Sequence, residues 1–173
     1  MYTFKRSEKG MGLKIKVLTI KQPWATLIMQ GDKRFEFRSW QTKYRGDLLI
    51  HAGLGIDKEA MKRLEKYIPK ELPYGKILGK VKLVDCIKMS PAFKEILLNE
   101  NKEIYTDSAF KENYGWQVTD VEMFENPIEA KGHLSLWEYE MWDFYFKYRI
   151  VVLKLVLYKE YTEDWAKIIF DIN

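Results

Sequence analysis

The sequence predicts an α+β domain of mainly β character: a curled, barrel-like sheet with short helices in its connections. Three observations predict it. Apolar and polar residues alternate strictly in several separated stretches, as in Leu13, Ile15 and Val17 against Lys14 and Lys16, the pattern of half-buried strands. Segments with helical spacing lie between these stretches and are short, which favours a curled sheet over a parallel, doubly wound one. The chain has 173 residues, 47% of them hydrophobic and 31% charged, enough for a sizeable core without staples.

Taken in order, residues 1–12 are polar and aperiodic and read as a flexible arm. Leu13 to Ile20 reads as a strand. Gln22-Pro23-Trp24 opens a short helix with Pro23 at its first position, where no amide donor is needed; Trp24, Leu27 and Ile28 share a face, and Gly31 stops it. Lys33 to Trp40 alternates again, with Phe35 and Phe37 on one side and Glu36, Arg38 and Trp40 on the other. After a turn at Tyr44-Arg45-Gly46-Asp47 comes the apolar strand Leu48–Ala52. Asp57 caps a helix running to about Ile68, with Met61, Leu64, Tyr67 and Ile68 inward. Lys76–Met89 is a long strand in which Gly79 marks a bulge or a close backbone approach. Ser90-Pro91 starts a helix with Phe93, Ile96 and Leu97 on one face, and Asn99–Asn113 reads as a polar, mobile loop with some helix. Strands follow at Gly115–Phe124 and His133–Tyr139. Beyond Tyr139, an aromatic-rich stretch, the apolar run Ile150–Leu157 and a short helix capped by Thr162 read as an extension. That run must be covered, by the barrel or by a second copy of the chain.

One cysteine, Cys86, and two histidines, His51 and His133, exclude a disulfide framework, a cysteine-rich zinc site and a multi-histidine metal centre. No apolar stretch reaches the roughly 18 residues of a membrane span, and the first ten residues lack the apolar run of a signal peptide. A cytoplasmic domain without a cofactor or membrane partner is expected. The net charge of +4 is uneven: residues 13–56 carry a net +5, whereas 57–137 carry −1. A polyanion would meet the first third of the chain first.

The densest polar cluster is Lys33, Glu36, Arg38, Ser39, Trp40, Thr42 and Arg45, just after Gln22 and Trp24. Glu36 and Arg38 lie two apart on a strand and share a face, whether as a structural pair or as fixed groups facing a planar polar ligand such as a base edge. Lys33 has the opposite parity and joins them only from the turn before alternation begins. Gly53 and Gly55 lack the rest of a dinucleotide fingerprint, Cys86 reads as an inert core thiol, and His51 as a satisfied, half-buried histidine.

These residues resemble the signature of the activating signal cointegrator homology (ASCH) domain family. Gln22-Pro23-Trp24-Ala25 is followed by Gly31, Lys33, Glu36 and Arg38 in a Gly-x-Lys-x-x-Glu-x-Arg pattern, then by Arg45-Gly46. Ile77-Leu78-Gly79 to Cys86, Tyr114-Gly115-Trp116, Pro127-Ile128, Gly132 and Trp137 resemble its later blocks. The resemblance covers residues 13–139, leaving 1–12 as an arm and 140–173 as an extension. It implies a PUA-like fold, a small antiparallel β-barrel with a cleft beside the first helix, and binding of nucleic acid, RNA ahead of DNA. On that reading Lys33, Arg38 and Arg45 are donors, Glu36 orients them or accepts from a base amine, Trp24, Trp40 or Trp116 stacks on a base, and Gln22 sits at the rim. Two alternatives stand beside this reading, the first implied by kinship. One is an amidohydrolase acting on a modified nucleoside through Lys33 and Glu36, because some family members deacylate modified cytidine. The other, raised by the aromatic extension, is a protein-interaction adaptor.

Overall fold

The computed structural model describes residues 13–106 and 113–141. The N-terminal arm, part of the 99–113 loop and nearly all of the C-terminal extension lie outside the described residues. Residues Ile15–Tyr139 form one compact unit.

Among the described residues the elements follow one another as β1 (Leu13–Gln22), α1 (Trp24–Gln30), β2 (Phe35–Arg38), β3 (Gly46–Ile56), α2 (Lys58–Arg63), a 3-10 turn (Glu65–Tyr67), β4 (Lys76–Lys88), α3 (Pro91–Glu100), β5 (Tyr114–Glu129) and β6 (Leu136–Met141). The domain is mainly β, a six-stranded sheet in the order β2-β5-β4-β3-β1-β6. The pairs β2–β5, β5–β4 and β4–β3 are antiparallel. β1 pairs with β3 in parallel, the exception in a mostly antiparallel sheet: the α1–β2 excursion supplies the crossover that a parallel neighbour requires.

The sheet is strongly curled. Arg38 of β2 donates through Nη2 to the Thr19 carbonyl of β1 at 2.9 Å, although three strands separate them in the sheet order. In a flat sheet that separation is about 19 Å, beyond an arginine's reach. Among the described residues no backbone pairing joins the edge strands β2 and β6, so the order is open. Gly79 provides one point of close approach. A Cβ there would collide with the Glu122 carbonyl oxygen and lie 2.5 Å from Met29 Cε, and the β4–β5 register shifts beside it.

Helix α1 has only seven residues, too few to hold by itself, and it is stabilised by burial. Ala25, Ile28 and Met29 pack into a core with Leu18, Ile50, Val81 and Trp116. Leu27 points into a second core with Phe35, Leu64, Phe93 and Leu97. Pro23 stands at the N-cap, one place earlier than expected, and the Gln22–Pro23 bond is cis. Gly31, at φ +86°, closes the C-terminus by donating to the Ile28 carbonyl. Asp57 caps α2 by accepting from the Ala60 amide, and Ser90 caps α3 by accepting from Phe93.

Two readings of the α3 region need correction. Ile96 is 61% exposed, whereas Phe93 and Leu97 are buried; the i, i+4 pair faces the core and Ile96 falls beside it. The segment after α3 is not simply a polar loop. Ile104 and Tyr105 are fully buried, and the Tyr105 hydroxyl accepts from the amides of Arg34 and Phe35, fixing the start of edge strand β2. Burial pushes that phenol's pKa up to about 12.

Candidate functional site

Lys33 reaches Glu36 because it is not yet on the strand. After Gly31 the chain turns so that the Lys33 amide donates to the Leu27 carbonyl, and its side chain runs beneath α1 before β2 begins at Phe35. The Lys33 ammonium is 2.6 Å from Glu36 Oε2, donates also to the Phe35 carbonyl, and lies 5.6 Å from the Trp24 ring centroid and 5.1 Å from that of Phe37. Burial lowers its pKa from the ordinary lysine value, and the Glu36 carboxylate works against that. Arg38 Nη2 lies 3.1 Å from Glu36 Oε1. One buried carboxylate thus holds two cations, one on each oxygen.

This triad lies at one wall of a partly open cavity of about 550 Å³. Trp24, Ser39 and Trp40 line the same side. Trp24 is oriented by its indole N–H, which donates to Asp57 Oδ2 at 3.1 Å, so Asp57 fixes both α2 and the aromatic wall. Trp40 is half-buried and rests edge-on against Trp116, with centroids 4.5 Å apart at 88°. Glu36 and Arg38 therefore share a cavity with both tryptophans in its wall.

Four other expected site residues lie elsewhere. Gln22 is buried rather than at the rim: its amide accepts from the Thr26 N–H and donates to the Pro73 carbonyl, clamping the start of α1. Trp116 is 0% exposed and its indole donates to the Trp40 carbonyl, so it backs the wall instead of offering a face to a base. Thr42 is buried and accepts from the Tyr44 amide. Arg45 points away, to Asp85 at 2.9 Å and to the carbonyls of Thr42 and Tyr44.

The rest of the lining comes from residues whose spacing gives no hint of proximity, and they form a second wall. Gly53, Leu54 and Gly55 at the end of β3, and His133, Leu134 and Ser135 before β6, line it, together with Lys21. Arg63 of α2 joins from the Trp24 side, its guanidinium 5.9 Å from the indole centroid. Among the described residues neither Lys21 nor Arg63 has a carboxylate partner. The segment before β6 is positioned by His51, buried on β3, whose Nε2 lies 3.0 Å from the Ala130 carbonyl. Gly132 passes so close that a Cβ would stand 2.7 Å from His51 Cε1. Ser135 takes a left-handed φ of 58°, and His133 packs on Trp137, centroids 5.0 Å apart. Burial, with a smaller contribution from His133, lowers the His51 pKa; its bond to Ala130 opposes the shift. Only the HAGLG glycine pair marked any of this wall in the sequence, and as a phosphate motif it was incomplete.

Three comparisons bear on this arrangement. The ASCH domain family model matches residues 18–169. Activating signal cointegrator 1 from Homo sapiens is 31% identical over 138 residues, 70% of this chain, and the Mus musculus protein is 30% identical over the same length. The chain spans 22% of the length of these curated relatives. Among solved structures, ASCH from Zymomonas mobilis aligns with a TM-score of 0.49 at 13% identity, over 80% of this chain and 94% of that one.

Proposed function

Since the chain belongs to the ASCH domain family, we propose that its PUA-like domain binds nucleic acid, RNA in preference to DNA, with an unpaired base in the cavity between Trp24 and Trp40. The observation that carries this reading is the Lys33–Glu36–Arg38 array beside an aromatic wall. Glu36 uses one lone pair of each oxygen on its two cations and retains acceptor capacity for a base amine. Arg38 offers further donors to base carbonyls. The tryptophans supply a stacking surface, and Lys21 and Arg63 place charge where a phosphate backbone would pass. Closure of the curled sheet into a barrel, and a domain spanning residues 13–139 with 140–173 packed on it or on a second copy of the chain, complete the proposal.

The hydrolytic alternative draws on the same lysine. Lys33 is surrounded by groups that attract an ammonium: a carboxylate, a backbone carbonyl and two ring faces. Burial works the other way and lowers the Lys33 pKa overall, so the lysine serves either reading and hydrolysis stands as the alternative to binding. Short RNA and DNA oligonucleotides titrated at two salt concentrations test the proposal. Affinity should fall at the higher salt, by a slope of about 0.7 per phosphate contacted on a single strand. Absence of binding to every oligonucleotide at low salt would refute it, and acetate release from acylated cytidine, lost in Lys33→Ala, would reinstate the enzyme.

A further inference from the structure

The two most exposed large hydrophobic side chains among the described residues are Leu134, at 93%, and Leu54, at 81%. They come from segments 80 residues apart in sequence, yet both line the mouth of the same cavity. An exposed leucine by itself needs no explanation; two lining one cavity together with the polar array point to a ligand that covers them. Leu134 follows His133, whose ring is anchored on Trp137, and precedes Ser135 in its left-handed turn, a conformation that few non-glycine residues adopt.

The neighbouring charges narrow the occupant. Lys21, Lys33, Arg38 and Arg63 line the cavity against Glu36, Asp57 and Glu59. Glu36 is held by Lys33 and Arg38 and Asp57 by the Trp24 indole, while Lys21 and Arg63 have no carboxylate partner among the described residues, so the balance favours a ligand with anionic as well as apolar parts. A nucleic-acid strand is both, since its phosphates are charged and its base faces are apolar. When one base turns into a pocket, the bases on either side lose a stacking partner.

We infer that Leu54 and Leu134 cover the faces of the bases flanking the one held in the cavity, so that the site takes a strand of at least three nucleotides rather than a free nucleotide. This rests on the nucleic-acid reading above and assigns the second wall a role in it. The leucines are exposed, so replacing them spares the core.

The experiment uses Leu54→Ser, Leu134→Ser and the double variant, with mixed-sequence single-stranded hexanucleotides and the four nucleoside monophosphates as probes. Melting temperatures should match the parent protein. Hexanucleotide affinity should fall about tenfold in the double variant, the size expected for losing base-face contacts. Monophosphate affinity and the salt slope should not change, because no phosphate contact is removed. Unchanged hexanucleotide affinity would overturn the inference while leaving the cavity reading intact. Equal losses on hexanucleotide and monophosphate would also overturn it, since the leucines would then shape the pocket itself. A parent protein that binds no hexanucleotide would remove both readings together.

Discussion

The two walls of the cavity are built by opposite rules. On the α1–β2 side, polar groups answer one another: Lys33 and Arg38 share Glu36, Arg38 reaches across to the Thr19 carbonyl, and Asp57 holds the Trp24 indole. The other wall is glycine backbone and exposed leucine, set in place from behind by the His51–Ala130 hydrogen bond and the packing of His133 on Trp137. The first wall is organised before any ligand arrives, which suits reading a polar edge. The second presents little that is specific and is tied down at few points, which suits covering an apolar face. Recognition and coverage are thus divided between two parts of the chain.

Breaking the first wall should have the largest effect. Glu36→Ala leaves Lys33, 3% exposed, without its counter-charge. An unpartnered buried charge costs about 3–5 kcal/mol, so urea denaturation should show a loss of that order. Removing both members with apolar residues, Lys33→Met with Glu36→Leu, should cost clearly less, because no charge is stranded. If Glu36→Ala were as stable as its parent, the ion pair would not be what organises this wall.

That wall was also the legible one. Gly31, Lys33, Glu36 and Arg38 fall within eight residues, and strand parity alone places Glu36 and Arg38 together. Even Lys33, which has the wrong parity, was traceable to a turn ahead of the strand. Most strands and helices were readable for the same reason, since alternation and capping residues act locally: Asp57 and Ser90 both cap where expected. Long-range geometry was not readable. Nothing local to Gln22 or Trp116 shows that the curled sheet buries them, and nothing in Leu54 or Leu134 places them at one mouth. The parallel β1–β3 pairing depends on the crossover through α1 and β2 and leaves no periodic trace. Tyr105 lies in a polar stretch, and its burial follows from the unpaired amides of β2 that it satisfies.

The second wall should respond to pH. His51 has a pKa lowered from its ordinary 6.5 by burial, so it takes a proton more readily once released than when packed. Above pH 6.5 this group does not favour release. As the pH falls below 6.5, the released state binds the extra proton and gains on the packed one, until the packed pKa is also passed. Amide hydrogen exchange of residues 131–135 should therefore be faster at pH 5 than at pH 7 after correction for intrinsic rates. His51→Gln retains an N–H that can donate to the Ala130 carbonyl and does not titrate, so it should flatten the difference. The same pH dependence in His51→Gln would show that His51 is not its source.

The smallest effect sharpens the boundary of the first wall. Arg45 belongs to the same sequence cluster as Arg38, and by charge alone the two are equivalent phosphate donors. Their surroundings differ. Arg38 lines the cavity, whereas Arg45 is exposed and pairs with a half-exposed Asp85. Such surface pairs contribute about 0–1 kcal/mol, and Asp85 keeps a second partner in the Cys86 amide at 2.7 Å. Arg45→Ala should therefore melt within a few degrees of the parent and retain both its oligonucleotide affinity and its salt slope. Arg38→Ala should weaken binding, because it removes a donor that lines the cavity and one of the two cations on Glu36. If the two variants lost affinity equally, the contact surface would run past the cavity onto the start of β3. The division between a reading wall and a covering wall would then be drawn in the wrong place.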